Sequence, residues 1–207
     1  YGMTETGSGV VYDGIPLEGV EVRVEAGEIR LRAPMLLRCY RDDTDPKDAA
    51  GWFHTGDAGA VGADGILSVH GRIEEVVVSG GEKIWPGAVE RVLATHPAVA
   101  EVAVAGRPDP EWGERVVAYV VLRQGEVAAS WRDEPARRAL LAEMRELVAS
   151  ELAPYAAPGE LVLVASLPRT ALGKVRRGEL ASLSGPSARA LPAHRASGTG
   201  GRAGGGR

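Results

Sequence analysis

The period of the apolar residues, and the point where it changes, constrains this chain more than any other feature. Valines recur at every second position from Val20 to Val24, and the alternation resumes at Ile29 and Leu31. A period of two sends alternate side chains to opposite faces of a strand. The break at Ala26-Gly27 supplies a turn, so a β-hairpin is predicted between Val20 and Leu37. Further on, Leu140, Leu141, Met144, Leu147, Val148 and Leu152 follow the spacing of one helical face, which predicts a helix over Glu134 to Leu152. The first helical signal is Pro86, suited to a first turn, with Val89, Val92 and Leu93 as its apolar face. The change of pattern falls near Gly71 to Glu75. The fold class expected is α+β: a β-rich part over 1–71, a junction at 72–75 and a mixed part over 76–183. The tail, 184–207, consists largely of Gly, Ser, Pro, Ala and Arg and is expected to be disordered for lack of apolar surface to bury.

Between these landmarks, Arg41 to Ala50 is polar and reads as an exposed loop, and Gly51 to Gly59 is punctuated by glycine. Gly62-Ala63-Asp64-Gly65 reads as a turn into a strand, Ile66 to His70. A short strand is predicted at Val76 to Val78, followed by a loop with the sequence SGGEKIWPG. Further strands are predicted at Val99 to Ala105, Arg115 to Leu122 and Leu161 to Ala165, the first two joined by the turn RPDPEWG.

Charge and cysteine content narrow the functional classes. A formal net charge of −4 gives no electrostatic footprint for nucleic acid. No apolar run approaches the roughly 18 residues of a membrane span. A single cysteine, Cys39, excludes an intrachain disulfide framework and a cysteine zinc site, which fits a reducing, cytoplasmic setting. Cys39 is placed at a strand end as a packing residue, and His54 as incidental. The chain opens on Tyr1 inside what reads as a functional loop, so it is expected to be a fragment.

Four stretches carry chemistry. YGMTE opens the chain; its glycine allows close backbone approach, Thr4 offers a hydroxyl, and Glu5 offers a carboxylate suited to a hard cation. TGD spans Thr55 to Asp57; GRIEEVVVSGGEKIWPGAVE runs from Gly71; LPRTALGK ends at Lys174. Taken singly, each has a plain reading: a polar turn, a turn aspartate, a strand-to-helix turn, a solvated lysine. Val69 reads equally as a strand core residue, and Arg72 as a surface arginine.

Together, in this order and at these separations, the four stretches resemble the adenylate-forming superfamily of acyl-CoA and aryl-CoA synthetases, luciferases and peptide-synthetase adenylation domains. The resemblance runs from Tyr1 to about Leu180. It implies an enzyme that uses ATP and Mg²⁺ to convert a small-molecule carboxylic acid to an acyl-adenylate, then passes the acyl group to a thiol, coenzyme A. It implies that Tyr1 stacks on adenine, Thr4 contacts the phosphate, and Glu5 holds Mg²⁺. Asp57 and Arg72 would hold the ribose, with Val69 against the adenine. Ser79, Gly80 and Gly81 would line the thiol channel, and Lys174 would neutralise charge on the α-phosphate. Glu74 stands where the family has its hinge, commonly Asp or Lys, so this glutamate is a departure. The resemblance is compatible with a homodimer. The family's Ser/Thr/Gly-rich phosphate loop is not within these residues, so the chain by itself is expected not to adenylate.

The compact stretch from Glu5 to Gly14 is similar to the o-succinylbenzoate–CoA ligases of menaquinone synthesis. A generic fatty or aryl acyl-CoA synthetase is the alternative within the family. A non-catalytic nucleotide-binding or interaction module is the alternative outside it.

Overall fold

The computed structural model describes residues 1–123, 133–183 and 185–189. The first part is built on hairpins. Strands β1 (Val11–Tyr12) and β2 (Ile15–Pro16) pair as a small ribbon. β3 (Glu21–Glu25), β4 (Glu28–Arg32), β5 (Phe53–Val61) and β6 (Leu67–Arg72) form an antiparallel sheet in sequence order. The hairpin expected from Val20 turns at Ala26 and Gly27, which have φ of 52° and 85°. It ends at Arg32 rather than Leu37, so Cys39 lies in irregular chain and not at a strand end. Buried Val20, Ile29, Leu31 and Leu67 pack with Val10 and Val11 to form this part's core.

The glycine-punctuated stretch Gly51 to Gly59, for which no strand was predicted, is mostly strand β5. A side chain at Gly59 would sit 2.7 Å from Ile29 Cδ1 and 2.5 Å from Ser68 O, so this glycine marks a close approach within the sheet.

A turn of 3₁₀ helix, Ile73–Glu75, leads from β6 into a second sheet. Here β7 (Val77–Ser79) and β8 (Glu82–Ile84) form a tight hairpin, so the SGGEKIWPG stretch is half strand, where a loop was expected. Gly80 and Gly81 form its two-residue turn with φ of 61° and 87°, the positive pair that a type I′ hairpin turn requires. Helix α1 (Pro86–Leu93) follows, with Pro86 in its first turn. The long hairpin of β9 (Val99–Asp109) and β10 (Gly113–Leu122) extends further into RPDPEWG than expected. β11 (Glu160–Leu163) lies parallel to β10, and β7 meets β10 at Gly113.

Helix α2 (Glu134–Glu151) is capped by Asp133, whose carboxylate accepts from the Ala136 amide at 3.2 Å. Its buried Leu140, Leu141, Met144 and Val148 pack on the face of β10 that carries Val116, Ala118 and Val120. The opposite face of β10, Val117 and Tyr119, is also buried, against Leu167 and Leu180 of the C-terminal segment. That segment ends in the short helix α3 (Arg177–Leu180) and then β12 (Ser187–Arg189), which pairs antiparallel with β11. The tail expected to be disordered from 184 thus holds a strand at Ser187–Arg189; residues 184 and 190–207 lie outside the described residues.

Candidate active site

β5 and β6 pair in a register that sets Asp57 opposite Arg72. The turn at 62–65 folds the strands back on each other, bringing a carboxylate and a guanidinium fifteen residues apart to one sheet end. Arg72 Nε lies 3.0 Å from Asp57 Oδ1, and its Nη1 donates to the Thr55 carbonyl at 3.1 Å. Tyr1 donates its hydroxyl to Asp57 Oδ2 at 2.6 Å. Burial, then this bond, push the Tyr1 phenol far above its ordinary value, so it stays a protonated donor. Asp57 is buried, and its amide donates to Thr55 Oγ1 at 3.0 Å. The Thr55 hydroxyl in turn donates to the Ile29 carbonyl at 2.6 Å, which ties the loop-side end of β5 into the sheet.

This end of the sheet forms one wall of a cleft of about 340 Å³ between the two parts of the chain. Asp57, Val69 and Arg72 line one side; Glu75, Arg91 and Arg177 come from the other. The His70 and Trp85 rings cross the junction, with centroids 5.7 Å apart. Val69 is 39% exposed, which separates it from the sheet's core residues. Asp57 offers about four lone-pair directions and uses two, so acceptor capacity remains facing the cleft.

The opening stretch takes a different form. Thr4–Thr6 is a turn of 3₁₀ helix, stapled by the buried Thr6 hydroxyl, which donates to the Met3 carbonyl at 2.9 Å or to that of Ser8 at 2.6 Å. Thr6 is a positioning residue that the sequence reading passed over. Gly2 approaches the chain's own backbone, where a Cβ would stand 2.3 Å from the Ser8 carbonyl oxygen. Thr4 is exposed, and Glu5 accepts from the Tyr40 hydroxyl at 3.1 Å. Neither lines the cleft. Among the described residues, no three His, Cys, Asp or Glu side chains cluster to hold a metal. Glu5 alone fits Mg²⁺, which commonly takes one or two protein carboxylates and completes its shell with water and phosphate oxygens.

Ser79, Gly80 and Gly81 sit at the β7–β8 turn, away from the cleft. The Gly80 amide donates to the Trp112 carbonyl at 2.9 Å, and the half-exposed Trp112 ring lies against the turn. Lys174 stands on a second loop, closed by the Thr170 amide to the Lys174 carbonyl at 2.8 Å, with Gly173 at φ 84°. It is exposed and outside the cleft. The structure therefore joins Tyr1, Asp57 and Arg72 in one array, sets Asp57, Val69 and Arg72 on the cleft wall with Tyr1 outside its lining, and leaves Thr4, Glu5, Ser79, Gly80, Gly81 and Lys174 apart from them. Glu74 lies on the 3₁₀ turn between the sheets. His54 pairs with Glu28 at 3.2 Å.

A second side chain that sequence reasoning missed is Arg177. It contacts Glu75 at 2.9 Å, both oxygens of Glu90, and the Val104 carbonyl at 2.9 Å. The hydrogen bond to Glu90 raises its already high pKa, so its charge is permanent. Its carboxylate partners lie 87 and 102 residues away, and no local spacing signals such contacts.

Residues 88–174 match the model of the AMP-binding enzyme C-terminal domain. Among curated proteins, the chain is 44% identical to the "Probable 2-succinylbenzoate–CoA ligase" of Mycobacterium tuberculosis strain H37Rv, over 87% of this chain and 46% of that protein. It is 42% identical to the same organism's medium/long-chain-fatty-acid–CoA ligase FadD8, over 72% of this chain and 26% of the relative. Among solved structures, it is similar to o-succinylbenzoate CoA synthetase (MenE) from Bacillus subtilis in complex with the acyl-adenylate intermediate OSB-AMP. That match has a TM-score of 0.73 and 31% identity, covering 87% of this chain and 40% of the other. The chain spans less than half the length of each of these relatives. On the matched domain, the α+β architecture and these relatives, the chain belongs to the adenylate-forming (AMP-binding) superfamily.

Proposed function

We propose that the chain is the C-terminal portion of an acid–CoA ligase that converts a carboxylic acid and ATP to an acyl-adenylate and then to a CoA thioester, and that its acid is o-succinylbenzoate. The observation that carries the reading is the Tyr1–Asp57–Arg72 array at the cleft. Asp57 is held on one side by a neutral donor and on the other by a cation, which fixes its orientation and leaves lone pairs for two vicinal hydroxyls. Such a carboxylate is matched to a ribose. Val69 adds an exposed apolar contact for the base, and Tyr1, bonded to Asp57, supplies the ring assigned to stack on it. Thr4 and Glu5 serve the phosphate side; when bound there, Mg²⁺ neutralises phosphate charge.

Lys174 and the cleft are apart, so the chemistry requires motion. One site that runs two reactions needs the small domain to rotate, and the turn at 72–75, with Glu74 at its centre, is where we place the pivot. In one orientation Lys174 meets the carboxylate and α-phosphate; in the other the Ser79–Gly81 turn faces the thiol. The glycines there let the pantetheine chain approach the backbone. Without the phosphate loop this chain alone does not adenylate.

The acid is supported by the 44% identity to a 2-succinylbenzoate–CoA ligase and by the compact stretch from Glu5 to Gly14. FadD8, at 42%, supports a fatty acid as the second reading. A pocket built to pair two carboxylates leaves polar groups unpaired when a monoacid enters. The full-length enzyme is therefore expected to prefer o-succinylbenzoate over benzoate or medium-chain fatty acids by at least about 10²-fold in kcat/KM. A panel of acids in an AMP-release assay measures this. Comparable turnover of a plain fatty acid overturns the acid and leaves the ligase reading intact.

A further inference from the structure

We propose that Arg177 is a positioning residue that clasps the Lys174 loop to the junction turn, so that the loop and Glu75 move as one body. The inference rests on the ligase reading for its consequence and on geometry for its substance. Arg177 lies three residues after Lys174 and opens helix α3. Its Nε donates to Glu75 on the junction turn at 2.9 Å. Its two Nη atoms grip the two oxygens of Glu90 on α1, and Nη1 also reaches the Val104 carbonyl on β9. Four of the five N–H donors of a guanidinium are thereby used, in the planar fork geometry that only arginine provides. Glu90 closes the array by accepting from the Val104 amide at 2.7 Å.

The array is partly shielded: the side chains of Arg177, Glu90 and Glu75 are 22%, 19% and 35% exposed. Val175 and the flanking Leu167 seat the loop on the apolar cluster beside Tyr119, which ties it to β10 and not to the junction turn; its other ion pair, Arg169 with Glu101 at 2.6 Å, is a surface pair with both partners over 40% exposed. Exposed pairs of that kind hold geometry weakly. The clasp is thus the firm tether between the loop that presents Lys174 and the chain segment next to the pivot. Glu75 then belongs to the moving body, and bending is confined to Arg72–Glu74. A lysine that must arrive within hydrogen-bond range of a phosphate after a rotation needs such a rigid linkage, because misplacement by about 1 Å can cost about 10²-fold.

The test uses the full-length protein and two mild variants, Glu75→Gln and Arg177→Lys. Glu75→Gln keeps an acceptor and leaves the Glu90 grip in place, so folding is retained. The first arm is amide hydrogen exchange, which needs no activity. Both variants should speed exchange together at 169–176 and 73–76, with strands β3 to β6 unchanged. Unchanged exchange at 169–176 in both variants overturns the clasp, whatever the enzyme does. The second arm is catalytic. Adenylate formation should fall about tenfold in kcat for Glu75→Gln with the preference for ATP over 2′-deoxy-ATP unchanged, because the ribose grip lies on the other part. Thioester formation from supplied acyl-adenylate should stay within about twofold. Faster exchange with an undiminished adenylation rate overturns the positioning role. A wild type that forms no adenylate from any acid refutes the ligase reading instead, and the exchange arm then decides the clasp alone.

Discussion

Lys174→Ala in the full-length enzyme should lower adenylate formation by roughly 10²-fold or more, the scale of losing one preorganised charge contact to a reacting phosphate. The physical reason is the presentation of this side chain. The Thr170–Lys174 loop, shaped by Gly173 at φ 84°, holds out an exposed ammonium, and Lys174 makes no side-chain hydrogen bond or ion pair among the described residues. A surface lysine of this kind contributes little to stability, so the variant should melt like the wild type. Its loss should therefore appear in one half-reaction only. Thioester formation from supplied acyl-adenylate should remain near normal if, as proposed, the thiol is brought to the adenylate in the other orientation. An equal loss in both half-reactions would refute the assignment of Lys174.

The second large effect is expected at Asp57. Asp57→Ala should reduce kcat/KM for ATP by at least about 10²-fold, because two hydrogen bonds to a charged group are worth about 1.5–3 kcal/mol each. The substitution also releases Arg72 and the Tyr1 hydroxyl, which both lean on this carboxylate. Part of the loss should thus be recovered by Asp57→Asn, which keeps one acceptor oxygen for a ribose hydroxyl. Matched ATP kinetics in Asp57→Ala and the wild type would remove Asp57 from the site.

Periodicity made the β3–β4 hairpin and helix α2 legible, because each buries one face and writes that face into the sequence. Strand β5 was obscured by Gly56 and Gly59. Their role there is positive φ and close packing against Ile29, which looks like loop chemistry in one dimension. The β7–β8 hairpin carried its signal openly in Gly80-Gly81, the pair a type I′ turn needs, after the apolar run Val76 to Val78. The pair Asp57 and Arg72 was legible only through the resemblance carried by TGD and GRIEE; the antiparallel register that sets them opposite each other leaves no mark in the sequence because β5 was not read as a strand. Arg177 was not, since Glu75 and Glu90 reach it only through the packing of α1, β9 and α3. The opening glycine, read as freedom to approach a ligand, is used at Gly2 for a backbone crossing with Ser8 and Gly9.

The most direct measurement of the central reading, that this sheet end grips a nucleotide through its ribose, is adenylation with ATP against 2′-deoxy-ATP. Both wild type and Asp57→Ala should be tested at matched enzyme concentration. The wild type should use the deoxy analogue at least about tenfold less well, the scale of one hydrogen bond to a charged group. In Asp57→Ala that preference should collapse toward unity, because the carboxylate that reads the 2′-hydroxyl is gone. The same discrimination in both proteins would contradict the account.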